Sequence, residues 1–98
     1  MADVPKFVES YKSIDPVLYD EVQRVTNMAM EPGALDVKTK LLITLALDSF
    51  KGAADGVRVL ARQARAVGAS DQEIAEAIRI TYYVAGFDSL KTGLSAFE

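Results

Sequence analysis

Apolar residues recur every three or four positions along almost the whole chain, which is the period of helices that bury one face. Prolines at positions 5, 16 and 32 and most of the six glycines fall between these periodic stretches and divide the chain into about six helices. No stretch shows the two-residue alternation of a half-buried strand. The sequence therefore predicts an all-α bundle.

Local signals give the helix ends. Asp15 followed by Pro16 is a typical helix start, and Ser70 to Glu73 has the pattern of a capping box. Gly68 is expected to end one helix and Gly86 another. The predicted helices cover residues 5–12, 16–30, 37–50, 53–67, 71–85 and 87–97.

The third predicted helix is apolar around most of its circumference, from Leu41 to Leu47. Such a helix must be covered on several sides. Half of all residues are apolar and only 26% are charged, which is a high apolar share for a chain of 98 residues. Partner subunits would provide the missing cover, so we expect a homo-oligomer.

Composition excludes several kinds of chemistry. The chain contains no cysteine and no histidine, which removes thiol nucleophiles, disulfides and the commonest metal ligand, and we expect no metal and no cofactor. A net charge of -3 without a concentrated basic surface argues against nucleic acid. The N-terminal residues do not resemble a signal peptide, and no apolar stretch is long enough to span a membrane. The expected location is the cytoplasm.

Four ordered motifs resemble the carboxymuconolactone decarboxylase and AhpD-like superfamily. They are Leu35-Asp36-Val37-Lys38-Thr39-Lys40 at a helix entry, Ala64 to Ser70 at a helix exit, Gln72-Glu73-Ile74 at a helix start, and Ala85-Gly86-Phe87 at a helix end. The resemblance covers about the last two thirds of the chain. It implies an AhpD-like helical bundle that assembles as a trimer or hexamer, with residues 35–98 as its core. Residues 1–34 would form N-terminal helices that cover the cleft or reach a neighbouring subunit.

The AhpD-like branch of this superfamily reduces hydroperoxides with a Glu, a CxxC pair and a His, because the reaction begins with attack by a thiolate. The resemblance places these four positions at Leu41, Ala53, Gly56 and Leu60. None of these side chains can perform the reaction. The decarboxylase branch does not depend on the cysteines, although it keeps a His where this chain has Leu60.

Three charged residues are candidates for remaining chemistry near that cleft. Asp48 follows Leu41 on the same face of the third helix, where it could act as an acid or base or could simply be solvated. Asp55 lies between the two cysteine positions, where it could face the cleft or stabilise the first turn of its helix. Arg58 belongs to a basic stripe with Arg62 and Arg65, which could bind a small anionic ligand or face solvent.

These observations lead to two hypotheses of different classes. The first is a non-catalytic or altered family member with a degenerate active site, used for binding or assembly. The second is a thiol-free decarboxylase or related lyase that acts on a small carboxylic acid through Asp48, Asp55 and Arg58. Pairing with an active paralogue also stays open.

Overall fold

The computed structural model describes residues 5–98, which are almost entirely helical. Five α-helices follow one another: α1 (Tyr11–Ile14), α2 (Pro16–Met30), α3 (Val37–Lys51), α4 (Ala54–Ala66) and α5 (Asp71–Gly93). Short 3-10 helices precede α1 and follow α5, at Lys6–Ser10 and Leu94–Phe97. No strand occurs among the described residues, so the all-α prediction is confirmed. The expected absence of a signal peptide concerns in part residues 1–4, which lie outside the described range.

The chain folds as two compact units, the first ending at Val37 and the second spanning Lys38–Glu98. Tyr19 organises the first unit, since its ring is buried and its hydroxyl donates a hydrogen bond to Glu9 Oε1 at 3.0 Å. Gln23 Nε2 donates to the same hydroxyl at 2.9 Å. The Lys12 ammonium lies 5.7 Å from the centre of the Tyr19 ring. One aromatic side chain therefore joins the segment before α1 to α2.

The second unit has a small apolar core between α3, α4 and α5. Leu45 and Ala64 are fully buried, and the core is completed by Leu41, Ala69 and Ile74. Thr81 attaches α5 to α3, because its hydroxyl lies within 3.4 Å of the Ala46 carbonyl oxygen as well as 3.0 Å from that of Ala77. The core residues therefore lie in the middle of α3, at the end of α4 and at the start of α5.

The predicted helix ends at Asp15, Gly68 and Ser70 are confirmed. Asp15 Oδ1 accepts a hydrogen bond from the Leu18 N–H at 3.1 Å. Ser70 Oγ accepts from the Glu73 N–H at 3.0 Å, and Glu73 Oε1 accepts from the Ser70 N–H at 2.9 Å, which is a complete capping box. Gly68 has φ +98°, the left-handed conformation that ends a helix after its last turn.

The predicted break at Gly86 is wrong. Helix α5 runs without interruption from Asp71 to Gly93, so the fifth and sixth predicted helices are one, and the described residues hold five α-helices instead of about six. A glycine ends a helix when it takes a positive φ, and Gly86 does not. Tyr83 and Phe87 pack edge to face across this position, with ring centroids 4.6 Å apart, which supports the continuous helix.

No helix among the described residues is both long enough and apolar enough to cross a bilayer.

Candidate functional site

An open pocket of about 390 Å³ lies at the junction of α3 and α4. A tight turn forms it: Gly52 takes φ +77°, and the Ala53 N–H donates to the Asp48 carbonyl oxygen at 2.9 Å. This turn sets the first turn of α4 beside the last turn of α3. We call this space the junction pocket, and its lining consists of Ser49, Gly52, Ala53, Ala54, Val57 and Arg58.

The Asp48 carboxylate lies directly against the backbone of Gly56. A Cβ atom added at Gly56 would overlap Asp48 Oδ2 and would lie 3.2 Å from Asp48 Cγ and 3.8 Å from the Ala53 Cβ. Asp48 is half-buried at this place. The carboxylate therefore fills the space that any side chain at position 56 would take, beside the junction pocket.

Asp55 and Arg58 form an exposed ion pair on the first two turns of α4. Their Oδ1 and Nη1 atoms are 2.5 Å apart, and the side chains are 99% and 68% exposed. Arg58 contributes to the pocket lining, whereas Asp55 does not. Asp55 lies in the first turn of α4, where a negative charge is favoured by the backbone N–H groups of the helix start.

The four positions that the family resemblance assigns to Glu, Cys, Cys and His lie in different surroundings. Ala53 lines the junction pocket and Gly56 adjoins it through Asp48. Leu41 is buried in the core, and Leu60 is half-buried one turn after Gly56. Neither leucine belongs to the pocket lining. The structure thus brings Asp48, Ala53 and Gly56 together at one place.

A second concave surface lies between α3 and α5 and has a volume of about 460 Å³. We call it the apolar groove. Helix α3 contributes Thr39, Leu42, Ile43, Ala46 and Leu47, and α5 contributes Glu73, Glu76, Ala77 and Ile80. The groove could not be located from the sequence alone, although the signal for it is there, since α3 is apolar around most of its circumference and one of its sides stays uncovered by α4 and α5.

The acidic end of the apolar groove carries an ion pair between two helices. Lys38 Nζ lies 2.8 Å from Glu73 Oε2, with side chains 34% and 39% exposed. The hydrogen bond from Lys38, followed by that from the Ser70 N–H, lowers the pKa of the Glu73 carboxyl below its ordinary value. The start of α5 is therefore held to the start of α3 by a carboxylate that also completes the helix cap.

Both the sequence and the fold are similar to those of known proteins. The sequence profile of the carboxymuconolactone decarboxylase family matches residues 16–98. The chain belongs to this family. Among solved structures, the chain resembles the apo form of a carboxymuconolactone decarboxylase family protein from Legionella pneumophila, with a TM-score of 0.73 and 26% sequence identity. The similarity covers 87% of this chain and 76% of the Legionella protein.

A comparison with curated proteins found no match to the chain. For this carboxymuconolactone decarboxylase family member, the profile match shows the family and the similarity to the Legionella structure supports the fold. The profile begins at the first residue of α2, so the match includes part of the first unit as well as the whole second unit. The family resemblance inferred from the four sequence motifs is confirmed.

Proposed function

We propose that this carboxymuconolactone decarboxylase family protein has no thiol peroxidase chemistry and works in the cytoplasm as an oligomeric binding or assembly domain. The observation that carries the proposal is the pairing of Asp48 with Gly56. In the proposed register Gly56 is the second cysteine position of the AhpD-like branch, and a carboxylate fills the space of the missing side chain. A carboxylate cannot replace a thiolate in the attack on a hydroperoxide.

The remaining positions of the cleft support the same proposal. Leu41, Ala53 and Leu60 offer neither a nucleophile nor a group that exchanges protons. Arg58, a cation in the pocket lining, is paired with Asp55. A small anionic ligand would bind in the junction pocket by drawing the Arg58 guanidinium away from Asp55, an exchange that is inexpensive because both side chains are exposed.

Exposed apolar side chains support assembly. Phe97, Tyr82 and Val17 are 88%, 80% and 75% exposed, while only seven hydrophobic residues form the core of the described chain. A large apolar surface on a small chain is typical of an interface between subunits. A homo-oligomer, as a trimer or hexamer, would bury much of this surface.

The proposal is tested on the purified chain by native mass spectrometry together with a turnover assay. We expect a mass that is a multiple of the 10.6 kDa subunit, and no release of carbon dioxide from carboxymuconolactone above that of buffer. A monomeric chain, or a chain that turns over this lactone, would contradict the proposal.

The second candidate function is a thiol-free decarboxylase or related lyase that acts on a small carboxylic acid. The feature that favours it is the position of Arg58 in the lining of the junction pocket, with the Asp48 carboxylate next to that pocket. In such an enzyme Arg58 would hold the substrate carboxylate and Asp48 would exchange a proton at the reacting carbon.

Asn substitutions separate the two functions. If the chain is an enzyme of this kind, Asp48→Asn abolishes turnover while the helical content stays that of the wild type. Asp55→Asn frees Arg58 and would tighten the binding of a carboxylate substrate. A chain that has no turnover to lose, with or without these substitutions, supports binding or assembly.

A further inference from the structure

The apolar groove between α3 and α5 has the size of a small-molecule site. Its volume of about 460 Å³ lies within the range of ligand pockets, which is roughly 300–1,000 Å³. No residue of its lining also lines the junction pocket, and both spaces belong to the second unit. A ligand in the groove would therefore occupy a second site, separate from the cleft with the missing cysteines.

The two helices that form the groove run in the same direction. Lys38 near the start of α3 is paired with Glu73 near the start of α5. Eight residues later on both helices, the Thr81 hydroxyl lies 3.4 Å from the Ala46 carbonyl oxygen. The groove thus has one end at the two helix starts and the other end about 12 Å farther along.

Polar and apolar lining residues are separated along the groove. On α3, Thr39 precedes all the apolar lining residues, the last of which is Leu47. On α5, Glu73 and Glu76 likewise precede the apolar lining residues, the last of which is Ile80. One end of the groove is therefore polar and acidic, and the rest is apolar.

The acidic end carries one negative charge that no cation compensates. Glu73 is paired with Lys38, whose Nζ lies 2.8 Å from the carboxylate. Glu76 instead accepts a hydrogen bond from the neutral Gln72 amide at 3.3 Å, and no ion pair to it occurs among the described residues. A single positive charge is the complement of this end of the groove.

We propose that the apolar groove binds a small primary amine with an apolar body. The ammonium group donates hydrogen bonds to the Glu76 carboxylate, and the apolar body lies along the groove toward Ile80, about 6 Å farther along α5. A carboxylate head group would be repelled by Glu76, and a second ammonium group would find no free carboxylate, since Lys38 holds Glu73. The proposal goes beyond the proposed function and does not depend on the junction pocket.

The apolar body and the charge of the ligand have different effects on binding. Each CH₂ group that the groove buries completely tightens binding by about fourfold, which is the equivalent of 0.8 kcal/mol. Glu76 is exposed, so its attraction for the ammonium group is worth at most about fivefold. Chain length should therefore set the affinity, and the charge should set the preference among head groups.

Calorimetric titration of the full chain at pH 7 with butylamine, hexylamine and octylamine tests the proposal. We expect binding to tighten along this series, by about threefold or more from hexylamine to octylamine. Octylamine should bind up to about fivefold more tightly than octanol, and octanoate should bind least well. Glu76→Gln should remove the preference for octylamine over octanol. Asp88→Asn is the matched control, because it removes an exposed carboxylate more than three turns farther along α5 and should keep the preference.

A thiol introduced into the groove locates the bound amine. The chain has no cysteine, so Ile43→Cys carries a single thiol. Val59→Cys on α4 is its control, since Ile43 and Val59 are 45% and 43% exposed and Val59 does not line the groove. Octylamine should slow the reaction of the Ile43→Cys thiol with dithiodipyridine and should leave the reaction of the Val59→Cys thiol unchanged.

Four results would overturn the amine site. They are equal affinities for octylamine and octanol, a preference for octylamine that survives Glu76→Gln, slowing of both thiols, and an Ile43→Cys thiol that is protected without amine and becomes reactive on dilution. The last result would show that a second copy of the chain covers the groove, which would support the oligomer of the proposed function. A monomeric chain that binds octylamine as expected would contradict the proposed function alone.

Discussion

At the scale of single residues, the contact of Asp48 with Gly56 explains why position 56 has no side chain. Gly56 lies within a helix at an ordinary negative φ, so the backbone does not require glycine there. The requirement comes from a carboxylate eight residues earlier on another helix, which overlaps any added Cβ. The two residues are therefore energetically coupled, although their separate identities look unrelated in the sequence.

This coupling predicts the result of a double-mutant cycle. In the Asp48→Ala background, Gly56→Ala should raise the free energy of unfolding by about 1 kcal/mol, the usual gain from replacing glycine in a helix. In the wild-type background the gain should be smaller by at least ~1 kcal/mol, because the new methyl group displaces the carboxylate. Urea unfolding at one fixed protein concentration measures both values, and equal effects in the two backgrounds would show that the residues do not interact.

Glu73 serves two structural purposes with one carboxylate, as an ion-pair partner of Lys38 and as part of the capping box. Its pKa is lowered in the folded chain, first by the Lys38 hydrogen bond and then by the Ser70 N–H. A lowered folded pKa means that the unfolded chain binds a proton more readily, so the stability provided by Glu73 is lost on acidification.

The expected pH dependence follows from this sign. The contribution of Glu73 is complete well above the unfolded Glu pKa of about 4.3, begins to fall as the pH drops through that value, and vanishes below the lowered folded pKa. Glu73→Gln keeps an acceptor for the helix cap but has no charge to lose. Thermal unfolding of the wild type and of Glu73→Gln is measured from pH 6 down to a pH below the folded pKa of Glu73. The two melting temperatures should converge as the pH falls. A constant difference would contradict the assignment.

At the scale of helices, the ends that depend on local contacts could be predicted from the sequence. Asp15 and Ser70 accept hydrogen bonds from N–H groups three residues later. A short local stretch of sequence is therefore enough to predict these helix starts. Gly86 could not be predicted in this way, because a glycine ends a helix only if the chain turns there, and the Tyr83 and Phe87 rings hold the helix straight. The junction pocket could not be predicted from the sequence either, because the contact between Asp48 and Gly56 depends on how α3 and α4 pack.

Continuity of α5 through Gly86 has a measurable consequence. A Cβ at this position would meet no atom within 4 Å, and the φ angle is not positive. Gly86→Ala should therefore stabilise the protein by roughly 0.5–1 kcal/mol, in the presence or absence of Asp48. If Gly86 instead ended the helix in a left-handed conformation, the same substitution would destabilise the protein in a urea titration.

At the scale of the whole molecule, the described residues bury only a small core and leave many large apolar side chains exposed. The sequence indicated this through the high apolar share and through a third helix that is apolar around most of its circumference. It did not indicate where the uncovered surface lies, because the exposed side chains of Tyr83, Phe87 and Leu90 share one helix face only when Gly86 is inside a helix. The family, the helical class and most helix boundaries were predictable for the same reason as the helix caps, because each depends on a short local sequence pattern.

An assembled protein of this kind should be more stable at higher concentration. A hundredfold increase favours association by about 2.7 kcal/mol per pair, so the melting temperature should rise by several degrees between the dilute and the concentrated sample. Calorimetry or circular dichroism over this range measures the shift. A wild-type melting temperature independent of concentration would contradict assembly.

The contact between Asp48 and Gly56 also determines the order in which substitutions at these two positions can be accepted. A substitution that adds a side chain at position 56 is costly while Asp48 is present and becomes acceptable once Asp48 has been lost. Any side chain at position 56 thus needs two changes in a fixed order, the loss of Asp48 first and the substitution of Gly56 second. The contact therefore limits which single substitutions the chain accepts at position 56.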